Sequence, residues 1–143
     1  MASPTRPPIT CHVLDTLSGT PAASIAVTLR LQSGSGGGSD SAAATFSGTT
    51  DADGRVTAWS GAGGRSLEAV FAGAAGELVW ELGFEVGPYW AARGVAPFFP
   101  RVHVAFVALG FEGRSAAELQ GKAGHWHVPL LLGPYSYTTY RGS

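Results

Sequence analysis

An all-β sandwich is the fold class this sequence predicts, and three observations carry it. Apolar residues alternate with small or polar ones in several separate runs, the period-two pattern of strands with one buried face. Glycine, proline and aspartate punctuate the intervals between those runs. Helical spacing of apolar residues is confined to one short stretch near residues 66–75. Seven or eight short strands joined by turns indicate an antiparallel sandwich.

The elements follow in order. Residues 1–8 carry three prolines and read as a disordered lead-in, with the domain spanning 9–143. Residues 9–14 alternate as a strand, and 15–21 are turn chemistry. Ile25, Val27, Leu29 and Leu31 form the clearest one-face-buried strand. The Gly/Ser run over 33–41 has nothing to pack and is expected as a hairpin loop. It is not a phosphate cradle, because no Lys-Ser/Thr and no helix pattern follow. Residues 44–50 form another strand. Asp51 to Gly54 is a tight turn rather than a calcium loop, since the later ligand positions are missing.

Residues 55–59 read as a short strand and 61–64 as a flexible joint. Leu67, Val70, Phe71 and Ala74 have the spacing of a short helix. Trp80, Leu82, Phe84 and Val86 share a face of a strand over 78–86. One or two helical turns over 87–94 lead to an extended link at 97–100. Val102, Val104, Phe106 and Ala108 mark the next strand, 110–124 a polar loop, and 125–140 a hairpin broken at Gly133-Pro134.

Composition bounds the function. The 143 residues allow one domain with a real core. Charged residues are 13% of the chain against about 25% in typical proteins, which suits surface hidden in an oligomer. A net charge of −1 leaves no basic excess, so neither nucleic acid nor a membrane is expected as partner. The one cysteine, Cys11, excludes an intramolecular disulfide and suits a reducing compartment. No apolar run of ~18 residues, no signal-peptide core and no terminal Ser-Lys-Leu are present, so the cytoplasm is the expected location, with the peroxisome, reached on a partner, as the alternative.

The candidate chemistry is histidine chemistry. Of His12, His103, His125 and His127, three lie in two strand patterns near opposite ends of the chain. His125 and His127, two apart, point to one face of a regular strand. If the two strands are neighbours, His12, His125 and His127 converge. Such a set can hold zinc with an open position, or it can work without metal as a general base helped by an arginine. A serine triad lacks its Gly-x-Ser-x-Gly elbow. Cys11 and His12 cannot act as a pair, because adjacent strand residues face opposite ways.

Several separated segments then resemble one family. These are Thr10-Cys-His-Val-Leu-Asp-Thr16 with Gly19-x-Pro21-Ala22, Thr50-Asp-x-Asp-Gly-Arg55, Phe98-Phe99-Pro100, and His125-Trp-His-Val-Pro-Leu-Leu-Leu132 followed by Tyr135-Ser-Tyr-x-Thr-Tyr-Arg-Gly-Ser143. Together they resemble the signature of the 5-hydroxyisourate hydrolases, the transthyretin-related enzymes of urate breakdown. The resemblance implies a transthyretin-like sandwich of two four-stranded antiparallel sheets with one short helix. It implies a homotetramer, a dimer of dimers, with active sites in a channel between dimers.

It also implies hydrolysis of 5-hydroxyisourate to 2-oxo-4-hydroxy-4-carboxy-5-ureidoimidazoline, with no cofactor and no metal. That places the chain between uricase and a downstream decarboxylase. His12, Arg55, His127 and Ser143 fall on catalytic positions. His12, Arg55, Tyr140 and Ser143 fall on substrate-contacting ones, with His125 and Arg141 in support. Hormone-carrying transthyretins lack the terminal Tyr-Arg-Gly-Ser and the histidines, which argues against the competing reading, a carrier of a small aromatic ligand. Arg101, His103 and Trp126 depart from the family pattern, as do longer stretches near residue 36 and over 61–78. None touches His12, Arg55, His127 or the terminal segment.

Overall fold

Alternating strands need a second layer to cover their apolar faces, and the computed structural model supplies one as a sandwich. It describes residues 6–34, 44–119 and 121–143. The strands are β1 (Ile9–Asp15), β2 (Thr20–Pro21), β3 (Ala26–Gly34), β4 (Thr45–Thr49), β5 (Arg55–Val56), β6 (Ser60–Gly61), β7 (Glu77–Phe84), β8 (Val102–Leu109), β9 (Trp126–Leu132) and β10 (Tyr137–Thr139). Two short helices, α1 (Leu67–Ala72) and α2 (Gly87–Ala91), flank β7. One sheet runs β10-β9-β1-β2 with β5 also on β1, and the other runs β6-β4-β3-β7-β8.

The structure refines the expected plan in particulars. Each sheet has five strands rather than four, because β2, β5 and β6 are two-residue pieces too short to show a period. The sheets are not wholly antiparallel. β1 and β9 pair in parallel from Ile9 opposite Trp126 to Asp15 opposite Leu132. They are the first and penultimate strands, so no hairpin joins them, and the long connection allows either direction. The strand expected over 55–59 ends at Val56. Beyond it the chain turns so that Trp59 Nε1 donates to the Ile9 carbonyl at 2.8 Å, which replaces ladder bonds. Ser33 and Gly34 of the expected Gly/Ser loop end β3, and 35–41 lie outside the described residues.

The core lies between the sheets. Ile9, Cys11 and Val13 of β1 face Leu29, Leu82 and their neighbours across it, all almost fully buried. Phe71 of α1 ties the layers together: its ring stacks on Trp80 of one sheet at 5.6 Å and on Trp126 of the other at 5.5 Å. Such aromatic pairs each add about 0.5–1.5 kcal/mol beyond their burial. At the far end, Asp15 is buried and accepts from the Tyr89 hydroxyl at 2.7 Å, pinning α2 to the turn after β1.

Candidate active site

Because side chains alternate along a strand, burying Ile9, Cys11 and Val13 turns Thr10 and His12 to the opposite face of the sheet. On β9 the burial of Val128 and Leu130 does the same for His127. Register then assembles the site: Thr10 pairs with His127 on one side of β1, and His12 pairs with Arg55 of β5 near its other side. The Asp51-Gly54 turn makes the second pairing possible. Gly54 has φ +76°, and a Cβ there would strike the Val13 carbonyl, whose residue's N–H bonds Gly54 O at 2.7 Å.

A cavity of about 240 Å³ opens on this face, lined by Thr10, Arg55, Thr57, His127, Ser143 and Arg6 among others. The ring of His12 lies 6.5 Å from that of His127. The last residues return across β9: Gly142 N–H donates to the His127 carbonyl at 2.8 Å, and Gly142 could carry no side chain, since its Cβ would sit 2.8 Å from His127 Cδ2. This close approach delivers Ser143 to the cavity. Arg141 Nη2 donates to the His125 carbonyl at 3.2 Å.

Electrostatics keep the imidazoles uncharged. Burial, then the Arg55 guanidinium, then the neighbouring histidines push His127 down from 6.5 to about 4. His12 is also lowered, by burial and then Arg55, against an opposing hydrogen bond to the Asp53 backbone. His125 is lowered by burial and then by Arg6. Among the described residues no carboxylate pairs with the Arg55 side chain, so this cation is available to a ligand. The site thus offers neutral bases beside an unneutralised guanidinium, a combination suited to activating water against an oxyanion-forming carbonyl.

The structure brings Arg55, His127 and Ser143 to one cavity, while His12 stands beside it, opposite Arg55 in register and not among the lining residues. His125 shares the face of His127, as the i, i+2 spacing predicts, with both ring nitrogens engaged: Nδ1 with Pro7 O at 2.9 Å and Nε2 with Thr10 Oγ1 at 3.1 Å. It is therefore not presented as a convergent ligand, and no group of His, Cys, Asp and Glu poised for a metal occurs among the described residues. Tyr140 does not line the cavity in the single chain. It is exposed in an adjoining apolar groove of about 320 Å³, with Phe106, Trp126, His127 and Arg141. Cys11 faces the core, where burial pushes its thiol up to about 12. Arg101 and His103 lie on the other sheet, paired with Glu85 at 2.9 Å and Glu81 at 3.3 Å.

The profile of the HIUase/Transthyretin family matches residues 9–142. The chain belongs to this family. A Schizosaccharomyces pombe relative, named "Probable 5-hydroxyisourate hydrolase", is 39% identical over 140 residues, covering 98% of this chain and 94% of that protein. Among solved structures, Klebsiella pneumoniae 5-hydroxyisourate hydrolase superposes with a TM-score of 0.63 at 26% identity, covering 94% of this chain and 98% of that one. Transthyretin from Sparus aurata superposes with 0.68 at 28% identity, covering 96% and 97%. Family membership fixes the fold. The likeness of backbone does not by itself separate the two activities those names carry; the side chains of the cavity must.

Sequence reasoning missed three contributors. Thr10 carried no signal, being an ordinary strand threonine until register sets it against His127. Proline content predicts a disordered lead-in that takes in Arg6 and Pro7. Pro7 and Pro8 are instead buried, Pro8 O accepts from Trp126 N–H at 2.7 Å, and Arg6 reaches the cavity. Residues 1–5 lie outside the described residues.

Proposed function

We propose that the chain hydrolyses 5-hydroxyisourate to 2-oxo-4-hydroxy-4-carboxy-5-ureidoimidazoline, with no metal and no organic cofactor. The observation that carries this reading is a neutral His127 imidazole at one cavity with an Arg55 guanidinium that has no carboxylate partner among the described residues. A carrier of aromatic ligands has no use for that pairing.

In the mechanism, His127 takes a proton from water as the water oxygen bonds to a ring carbonyl carbon. Arg55 balances the negative charge that develops on the carbonyl oxygen. The C–N bond then breaks, the proton passes from His127 to the departing ring nitrogen, and the new carboxyl group releases its own proton to water, leaving a carboxylate and a ureido group. The same guanidinium that lowers the base's affinity for a proton makes its imidazolium a ready acid, so one charge serves both halves of the step. His12 acts as the second proton shuttle, and Ser143 orients the ring.

Tyr140 stands in the adjoining groove, so its contact with substrate rests on assembly with a second copy. A homotetramer, built as a dimer of dimers, supplies that copy and covers the apolar groove. By chemistry the substrate comes from uricase and the product goes to a decarboxylase, in the cytoplasm.

The test follows ultraviolet absorbance while uricase oxidises urate, with and without the purified protein. Decay of the 5-hydroxyisourate band should accelerate in proportion to added protein. No acceleration by folded protein would overturn the hydrolase reading, and ligand binding in the groove would become the question.

A further inference from the structure

Four polar groups in the site form an ordered chain of three hydrogen bonds. Pro7 O lies 2.9 Å from His125 Nδ1, His125 Nε2 lies 3.1 Å from Thr10 Oγ1, and Thr10 Oγ1 lies 2.7 Å from His127 Nδ1. Thr10 is 5% exposed and His125 8%. Proton positions follow from what each atom can do. A carbonyl oxygen only accepts, so His125 Nδ1 carries a proton. In a neutral imidazole Nε2 is then an acceptor, and the Thr10 hydroxyl must donate to it. That hydroxyl has one hydrogen, so toward His127 its oxygen accepts, and His127 Nδ1 must be the N–H. The lone pair of neutral His127 is thereby left on Nε2.

We infer that Thr10 is a positioning residue that locks His127 in the Nδ1–H tautomer, with the backbone carbonyl of Pro7 setting the polarity of the chain through His125. In this role Thr10 acts through His127 rather than on water or substrate. It decides which nitrogen of the base is free. The direction is set outside the family-matched segment, by residue 7. The inference rests on the hydrolase reading for its consequence, but the tautomer itself does not.

Without the hydroxyl, the Nδ1 proton of His127 loses its acceptor in a buried setting. The alternative tautomer, protonated at Nε2 and unable to take a proton there, becomes populated. Misplacing a tautomer costs a serine protease about 10⁴-fold; a neutral hydroxyl partner is expected to be worth less, about 10–100-fold in kcat. KM should change less than kcat, since the hydroxyl acts through His127.

The experiment joins kinetics to nitrogen NMR of the imidazoles in the full chain. Wild type should show His127 protonated at Nδ1 and unprotonated at Nε2 at neutral pH. Thr10→Val, which keeps the shape and removes the hydroxyl, should lower kcat about 10–100-fold with a mixed His127 nitrogen pattern, and Thr10→Ser should restore both. A wild-type His127 protonated at Nε2 overturns the inference, as does Thr10→Val with wild-type kcat and pattern. Should Thr10→Val fail to fold, the wild-type spectrum and Thr10→Ser decide alone. An inactive wild type with the Nδ1–H pattern would overturn the hydrolase reading and leave the lock intact.

Discussion

His103 and His127 sit on outward faces of opposite sheets, and their surroundings are reversed. His103 is exposed on β8 and faces a carboxylate, Glu81, at 3.3 Å. His127 is half-buried on β9, bonded to a threonine, and feels a guanidinium instead. One imidazole stands in solvent beside a carboxylate. The other is held uncharged where water can be admitted and a negative charge received. The residue type is the same, so the difference lies in which strand supplies the neighbour.

The largest effect that could break this comparison is removal of the buried imidazole. His127→Ala should lower kcat about 10²–10⁴-fold, the usual worth of a general base. The melting temperature should stay close to wild type, because His127 is outside the core. Near-wild-type turnover, read by 5-hydroxyisourate decay, would reduce His127 to a structural histidine like its counterpart.

Next comes the charge that distinguishes the two surroundings. Arg55→Gln should cost about 10²–10³-fold in kcat if the guanidinium receives the oxyanion. It should also move the acid limb of the rate profile. In wild type the base is competent above about 4 and is lost as pH falls through that value. Removing Arg55 deletes one of the causes that lower His127, so the limb should rise toward 6.5. A drop in kcat with an unmoved limb would detach the arginine from the histidine.

A third effect concerns stability. His12, His125 and His127 are all lowered in the folded chain, so between the ordinary 6.5 and about 4 the unfolded chain binds more protons. Their contribution to stability is full above 6.5 and declines as pH falls through this window. Asp15 acts in a separate, lower window. Burial raises it, but hydrogen bonds from Tyr89, Ser18 and Leu17 outweigh burial and hold it below 3.8. Thermal melts across the upper window should show a falling midpoint, flattened in His125→Gln. A midpoint that rises on acidification would contradict the assignment.

Much of this is legible in the sequence. The alternation in β3, β7 and β8 declares strands because one face must be dry while the other is wet, and that constraint is written every second residue. The i, i+2 histidines declared a shared face for the same reason. The parallel pairing of β1 with β9 was not legible, because local pattern carries no information about which distant strand will be a neighbour. Two-residue strands such as β5 are fixed by their partner rather than by their own sequence, and that pairing is what sets Arg55 against His12. Pro7 misled for a related reason. Proline content argues against regular structure, yet a segment without regular structure can still be packed, and here its carbonyl orders the site.

The smallest expected effect is the sharpest control. His103→Ala removes an exposed imidazole beside Glu81, a pair worth at most about 1 kcal/mol on a solvated surface. It stands on the sheet that carries neither Arg55 nor His127, so turnover and the acid limb should both match wild type. The loss of this exposed contact should shift the melting midpoint only slightly. A large fall in activity would mean that the two sheets are coupled chemically, through assembly that brings β8 of one copy to the cavity of another. Unchanged kinetics would confine the chemistry to the face built from β1, β5 and β9, where a guanidinium, rather than a carboxylate, makes histidine a base.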